Sequence, residues 1–266
     1  MDKMLVAVFE SEKQAFAAAG AMNDLREDGI LLVYASGVIV KDAGRISIVE
    51  FTNDSAGSDS VLGIATRSLI ELLAKPVFSA DEVNSQAIAD QMMEITNAGV
   101  DAVFLDEVAR HLSPGKAAIV AEIEEETVTA MDTLIESLGG MVFRCVRCEL
   151  MFAQIAKELD ALHNEIQILE QQMLQSRDGS RIRLQGRLAL ATTGLHATKE
   201  RARHRATTIK REAEAKIVLL QERAAKAEAG MKSRFERLAD EVRVDYLNRA
   251  AKLNLARQFA GDGIAV

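Results

Sequence analysis

Met4-Leu-Val-Ala-Val-Phe9 is a continuous apolar run, and after Glu10 it is followed by Ser11 and a segment with helical periodicity. A short apolar run of this kind is typical of a buried strand, and serine is a preferred residue at the N-cap of a helix. The apolar residues of the following segment recur every three or four positions: Ala15, Phe16, Ala19, Met22 and Leu25. The opening of the chain therefore predicts a β-α unit.

Two β-rich runs come next, from Ile30 to Val40 and from Arg45 to Phe51. Gly29 is suited to ending the preceding helix, and the Asp and Gly of Lys41-Asp-Ala-Gly44 favour a hairpin turn between the runs. The predicted order up to this point is β-α-β-β.

A second β-α-β set is predicted from a strand at 116–123, a helix at 128–138 and a strand at 141–146, with Gly139-Gly140 ending the helix. Its opening, Ile119-Val-Ala-Glu-Ile-Glu-Glu-Glu126, resembles Leu5-Val-Ala-Val-Phe-Glu-Ser-Glu12, and each leads into a helix. This repetition predicts an α+β fold, in which a ferredoxin-like head spans residues 1–148 and carries its helices on one face of the sheet.

A helical insertion is expected within this head at about 53–112. A Gly/Ser/Asp-rich loop, Thr52 to Ser60, opens it. Helices at about 61–75, 80–97 and 101–112 follow, and Ser113-Pro-Gly115 ends the last of them.

From residue 149 the composition changes to that of a long helical tail, 149–266. Apolar residues recur there in steps of four and three, which is the spacing of a coiled-coil seam. We assign to this oligomerisation seam Ile155, Leu159, Leu162, Ile166, Leu169, Met173, Leu188, Leu195, Ile209, Leu238 and Val242. The Asp-Gly pair at 178–179 predicts a hairpin turn near 177–180.

Residues 181 to about 259 contain no proline, and an unbroken helix of that length would be on the order of 115 Å long. The head is too small to cover such a seam. We therefore expect other copies of the chain to cover it in a homo-oligomer that forms a ring, a cage or a filament.

Charge divides the chain at the same place. Up to Glu149 there are 11 Lys and Arg against 25 Asp and Glu, whereas from Leu150 there are 21 against 15. The most basic tract, 177–211, suggests an alternative function as a binding protein for an anionic membrane surface or nucleic acid. Its candidate anion-binding residues are Arg181, Arg183, Arg187, Arg201, Arg203 and Arg205. A solvated coiled-coil face is the other interpretation of the same tract.

Several stretches of the head resemble a bacterial family of uncharacterised function that is usually described as predicted membrane proteins. They include the first thirteen residues, Tyr34-Ala-Ser-Gly-Val-Ile-Val-Lys-Asp-Ala43, the segment 112–126 and Leu138-Gly-Gly-Met-Val-Phe-Arg144. The resemblance implies a ferredoxin-like head, a Gly-rich apolar central hairpin and a charged helical tail, but it implies no catalytic residues. The matching central region here carries charges such as Arg67, Glu71 and Lys75.

Two groups of side chains could carry chemistry. Cys145-Val-Arg-Cys148 has the spacing of a redox pair or half a zinc site, but no second ligand pair accompanies it, and we favour the interpretation that Cys145 packs as a small hydrophobe in a strand and Cys148 lies at the strand end. Glu122, Glu124, Glu125 and Glu126 with Asp132 could bind a divalent cation, or they could form the solvated N-terminus of a helix.

No nucleotide-binding loop, zinc-protease motif or catalytic triad pattern is present in the sequence. We therefore predict a non-enzymatic assembly protein with no cofactor and no identified small-molecule substrate. The chain start lacks the features of a signal peptide, which favours the cytoplasm, with peripheral membrane contact as the alternative.

Overall fold

The computed structural model describes residues 2–43, 45–53, 61–74, 94–95, 97–147, 150–175 and 178–259. This part of the chain contains five strands and seven helices. Its contacts divide the chain into two compact units. The first unit combines Met1–Cys148 with Glu214–Glu241, and the second combines Glu149–Ala213 with Val242–Val266.

A five-stranded sheet forms the centre of the first unit. Its strands are β1 (Lys3–Phe9), β2 (Leu31–Asp42), β3 (Arg45–Asn53), β4 (Ala117–Glu125) and β5 (Met141–Val146). They lie in the order β3-β2-β4-β1-β5, and each neighbouring pair is antiparallel. The α+β class predicted from the sequence is confirmed.

Helices cover both faces of this sheet. Helices α1 (Glu12–Glu27) and α4 (Thr129–Ser137) contribute to one apolar core, and α2 (Ile64–Ala74) and α3 (Ala102–His111) contribute to the other. The helices of the two predicted β-α-β sets, α1 and α4, share one face as expected, whereas the position of the inserted helices α2 and α3 on the other face was not predicted. Strands β1 and β4 are largely continuous apolar runs, so that both of their faces need cover, and the inserted helices α2 and α3 supply it on the second face.

The turn and cap residues of the head agree with the sequence in detail. Ser11 accepts a hydrogen bond from Gln14 N as the N-cap of α1, and Gly29 ends that helix with φ of 72°. Gly139 ends α4 in the same left-handed conformation, with φ of 74°. The β2–β3 turn contains Ala43, whose φ is 40°.

Two predicted segments of the insertion fall largely outside the described residues. They are the loop from Thr52 to Ser60, of which the structure describes only 52 and 53, and the helix at about 80–97, of which it describes only 94, 95 and 97.

Three long helices make up the rest of the described chain: α5 (Leu150–Gln175), α6 (Asp178–Lys226) and α7 (Ala229–Phe259). The unbroken helix expected from 181 to about 259 is interrupted at residues 227 and 228. There Ala227 N donates a hydrogen bond to Ala224 O, which forms a tighter turn at the end of α6.

In the second unit, α5 and the first part of α6 form an antiparallel helical hairpin. Arg187 pairs with Glu165 at 3.0 Å and Arg201 pairs with Glu158 at 2.8 Å, so that later residues of α6 meet earlier residues of α5. Helices α5 and α6 therefore run in opposite directions. Of the segment predicted as the turn, Arg177 lies outside the described residues, and 178–180 form the first turn of α6.

The two units that the contacts define differ in one respect from the two domains that the sequence predicted, whose boundary was at 148/149. Glu214–Glu241, the end of α6 and the start of α7, belongs to the first unit. Its residues include six Lys and Arg and six Asp and Glu, whereas the whole first unit has 17 against 30 and the second has 15 against 10. The segment is therefore neutral and joins a strongly acidic unit.

Candidate functional site

A buried cluster of charged groups lies at one end of the sheet in the first unit. Strand pairing places Met4 opposite Glu122, and Arg147 N donates to Asp2 O at 3.1 Å just beyond the ends of β1 and β5. Because side chains alternate along a strand, Asp2 shares a face with Met4 and Glu122. We call Asp2, Tyr34, Glu122, Glu124, Arg147 and Lys216 the buried charge cluster.

Glu122 is the centre of this cluster. Its Oε1 accepts hydrogen bonds from Arg147 Nη1 and from Lys216 Nζ, each at 2.6 Å. Lys216 also pairs with Asp2 Oδ2, and Arg147 Nη2 donates to Asn97 O at 2.9 Å. Glu122, Arg147 and Lys216 expose 1%, 3% and 3% of their surfaces, so these ion pairs are almost fully desolvated.

Tyr34 forms the wall of the cluster. Lys216 Nζ lies 4.3 Å from the centre of its ring, which is a cation-π geometry, and the phenol donates to Glu124 Oε2 at 3.2 Å. Burial raises the pKa of the Tyr34 phenol well above its ordinary value, and the negative charges of Asp2, Glu124 and Glu122 raise it further. The phenol is therefore held in its protonated form, in which it can donate this bond.

The opposite face of the sheet carries a second charged group, centred on Glu125. Arg144 Nε donates to Glu125 Oε1 at 2.7 Å, and Lys3 Nζ approaches the same oxygen at 3.2 Å. Arg144 Nη1 also contacts Asp132 Oδ1 at 2.5 Å. Glu122 and Glu124 thus point to one face of the sheet and Glu125 points to the other, and Glu122 and Glu125 each have their own cationic partners.

These observations correct the interpretation of the acidic run as the solvated start of a helix. Strand β4 continues to Glu125, and α4 begins only at Thr129. Glu122, Glu124 and Glu125 are buried. Glu126 pairs with Arg234 at 3.1 Å and Arg237 at 2.8 Å, both from the segment Glu214–Glu241.

The structure does not assemble these acids into a cation site. Across the part of the chain that it describes, no group of three or more His, Cys, Asp or Glu side chains has an arrangement that could hold a metal ion. Their negative charges are offset by arginine and lysine side chains instead. The ion pairs of Lys216, Arg234 and Arg237 hold the segment Glu214–Glu241 on the sheet.

The cysteine motif is only partly described. Cys145 lies in β5, is half-buried and packs against the core beneath α2 and α3. Its Sγ is 3.4 Å from Val146 O. Cys148 lies outside the described residues, so the redox and zinc interpretations of the pair remain predictions.

None of the eleven predicted seam residues is exposed. Ile155, Leu159, Leu169, Ile209 and Leu238 are buried, and the other six are half-buried. Within the second unit, Ile155 and Leu159 pack with Ala202 and Leu195. One chain covers much of the surface that the sequence assigned to contacts between subunits.

A different set of apolar side chains is exposed on the helical hairpin. Leu174 exposes 88% of its surface, Ile182 76% and Leu190 75%. Ile168 is also more than half exposed, at 55%. No regular heptad step joins these four positions, and sequence periodicity alone did not single them out.

The six candidate anion-binding arginines fall into two groups. Arg187, Arg201 and Arg203 pair with glutamates on the hairpin, and Arg205 is buried. Arg181 and Arg183 are exposed near the start of α6, and among the described residues neither forms an ion pair. The tract therefore presents less positive charge than its composition suggested.

Comparison with known proteins adds no relative from which a function could be transferred. Within the described ranges, no helix combines the length and apolarity that are needed to cross a bilayer. No family model, curated protein or solved structure matches this chain.

Proposed function

We propose that this protein is a non-enzymatic assembly protein that associates with copies of itself through its helical hairpin. The observation that carries the proposal is the exposure of Leu174, Ile182 and Leu190, each at 75% or more. Removing a leucine or isoleucine side chain from water contributes about 1.5–3 kcal/mol, so three such residues on one hairpin are a substantial driving force for association.

The internal seam supports this choice of surface. The buried side chains of Ile155 and Leu159 already hold α5 against α6, so the exposed residues are not needed for the hairpin itself. A coiled-coil bundle of several hairpins would cover them. The self-association surface that we propose is therefore the outer surface of the hairpin around Leu174, Ile182 and Leu190.

Charge supports the same proposal. The first unit carries 30 Asp and Glu against 17 Lys and Arg, and the second carries 15 Lys and Arg against 10 Asp and Glu. Opposite net charges favour encounter between the head of one copy and the hairpin of another. We further propose that the head is a ferredoxin-like variant, since β2-β4-β1-β5 follows that strand order and β3 adds an outer strand.

The test is the mass of the full chain in solution at micromolar concentration, measured by light scattering. We expect a multiple of 29.0 kDa for the unaltered chain and the single-chain mass for the variant L174Q/I182Q/L190Q. The matched control is I48Q/V49Q, which removes exposed apolar side chains from β3 of the head and should leave the assembly intact. A mass of 29.0 kDa for the unaltered chain would contradict the proposal.

A second candidate function is binding to an anionic surface, either a membrane or a nucleic acid. Exposed Arg181 and Arg183, which lack ion-pair partners among the described residues, favour it. The variant R181E/R183E should then lose co-sedimentation with phosphatidylserine vesicles or retardation of duplex DNA. R203E is the matched control because Arg203 is already paired with Glu200. Equal binding by R181E/R183E and the unaltered chain would reject this function.

A further inference from the structure

The glycine that ends α1 receives a methionine side chain from the first turn of α7. Gly29 has φ of 72°, and a Cβ atom built on it would overlap Met231 Cε and lie 3.4 Å from Met231 Sδ. Only a residue without a side chain leaves room for the methionine at this place. We call this position the Gly29 notch.

Polar contacts surround the notch. Arg234 lies one turn after Met231 and donates to two backbone carbonyl groups, to Gly29 O from Nη1 and to Ile30 O from Nη2 at 3.3 Å. Its Nε also lies 3.1 Å from Glu126 Oε1. Met231 supplies an apolar contact beside these polar ones, and both side chains belong to the segment Glu214–Glu241. The start of α7 therefore docks on the end of α1 through one apolar and one cationic side chain.

The first turn of α7 depends on this docking. The turn follows the helix interruption at residues 227 and 228, so its backbone has no preceding helical turn to support it. Gly230 lies within the turn, and glycine is one of the least favourable residues in a helix. Because local propensity is weak here, the contact of Met231 with the Gly29 notch contributes directly to keeping the turn in place.

Met231 is also within reach of solvent. It is half-buried, and its neighbours Gly230 and Lys232 are exposed. Three other methionines expose 3% or less of their surfaces: Met4, Met22 and Met131. An oxidant dissolved in water can therefore approach Met231, whereas the protein shields those three.

We propose that Met231 is an oxidation site whose sulfoxide releases the start of α7 from the head. A peroxide supplies the oxygen atom. The lone pair of Sδ attacks one peroxide oxygen, an S–O bond forms as the O–O bond breaks, and hydrogen peroxide leaves as hydroxide, which takes up a proton to become water. The thioether loses two electrons and the peroxide gains them.

The chemical change acts at the notch itself. A thioether is apolar, whereas a sulfoxide is polar and disrupts apolar contacts. Placing its oxygen among the packed atoms of the notch would remove that oxygen from water, which is unfavourable unless a hydrogen bond replaces the hydration. The oxidised side chain therefore favours solvent over the Gly29 notch. This inference is independent of self-association, because every residue that carries it lies in the first unit.

Peptide mapping by mass spectrometry tests the modification. The full chain is treated with hydrogen peroxide under conditions in which circular dichroism shows that it stays folded. We expect one added oxygen atom at Met231 and at Met141, which exposes 51% of its surface, and none at Met4, Met22 or Met131. Complete oxidation of Met141 with none at Met231 would overturn the proposal.

Hydrogen exchange in residues 229–241 tests the release. We expect exchange to be at least about tenfold faster in the oxidised chain than in the untreated one, a ratio that corresponds to about 1.4 kcal/mol. M231L keeps an apolar side chain that peroxide does not oxidise, so treatment should leave its exchange unchanged. M173L is the matched control, because Met173 is also half-buried but lies in the second unit, and it should respond as the unaltered chain does.

A polar substitution tests the same step without an oxidant. M231Q places an uncharged polar group at the notch, and its exchange in residues 229–241 should be fast before any treatment. Unchanged exchange in a chain that is oxidised at Met231, or an equal response of M231L and the unaltered chain to peroxide, would refute the assignment.

Discussion

Lys216 Nζ lies 2.6 Å from Glu122 Oε1, although 94 residues separate them in the sequence. The contact joins the end of α6 to β4, the middle strand of the sheet, and is almost completely excluded from water. Two charges in such a place attract each other strongly, but each has lost its hydration, so the pair matters most when one partner is removed.

Replacing Lys216 with methionine keeps much of the side-chain volume and removes the charge. Asp2 and Glu122 would then remain buried without the cation that bridges them. We expect K216M to lower the free energy of unfolding by about 3–5 kcal/mol, measured by urea denaturation. The control K232M should change it by less than about 0.5 kcal/mol, because Lys232 is exposed and lies 4.0 Å from Glu236. Equal effects of the two substitutions would show that Lys216 does not anchor this segment.

The double variant K216M/E122Q separates the loss of an attraction from the burial of an excess negative charge, because K216M leaves two carboxylates, Asp2 and Glu122, beside the single cation Arg147. If the excess charge causes most of the damage, neutralising Glu122 should recover about 1–2 kcal/mol of the stability that K216M loses. A double-mutant cycle in urea measures this coupling. Strictly additive effects of K216M and E122Q would contradict the direct interaction between the two side chains.

The raised pKa of the Tyr34 phenol predicts that the protein loses stability in alkali. Because the pKa of its phenol is raised in the folded protein, the stability it contributes is complete below the ordinary value of 10.0 and is lost as the pH rises through the folded pKa. Above about pH 10, the free energy of unfolding of the unaltered chain should fall by up to about 1.4 kcal/mol more per pH unit than that of Y34F. Parallel pH profiles for the two proteins would rule this out. At neutral pH, Y34F should cost about 1–2 kcal/mol through the lost bond to Glu124.

Local signals predicted the head well. The apolar run at β1, the cap at Ser11 and the glycine at position 29 act through neighbouring residues, and the structure has each where the sequence predicted it. The acidic run was harder to interpret. Alternation of Glu122 and Glu124 with Ile123 was the available signal of a strand, and three consecutive glutamates resembled a helix start more closely.

The buried charge cluster could not be predicted from one sequence. Its lysine comes from a helix whose composition is typical of a solvated coiled coil, and no local pattern distinguishes Lys216 from its exposed neighbours. Heptad spacing identified eleven apolar positions, of which five are buried and six are half-buried within one chain. It could not show how far one chain covers them, because that depends on how α5 and α6 pack against each other.

Arg144 provides a comparison between a shielded and an exposed ion pair of equal length. Its distance to Glu125 is 2.7 Å, as is the distance between Arg110 and Asp106. The first pair exposes 18% and 2% of its side chains, whereas the second exposes 64% and 65%. We expect R144M to lower the free energy of unfolding by about 2–4 kcal/mol and R110M by no more than about 0.5 kcal/mol, as measured in urea. A similar loss in both would mean that burial does not determine the strength of these pairs.

Two leucines of the hairpin distinguish folding from assembly. Leu159 is fully buried, whereas Leu190 exposes 75% of its surface. L159A removes packing between α5 and α6, and it should lower the free energy of unfolding by about 2–5 kcal/mol. L190A removes little packing within the chain. Its free energy of unfolding should therefore stay within about 0.5 kcal/mol of that of the unaltered chain, when both are measured at concentrations where the chain is monomeric. If the exposed apolar side chains mediate association, L190A should instead weaken it, which sedimentation analysis over a range of protein concentrations would measure. The reverse pattern, an unstable L190A chain that assembles normally, would place Leu190 in the core of the hairpin and remove it from the proposed contact surface.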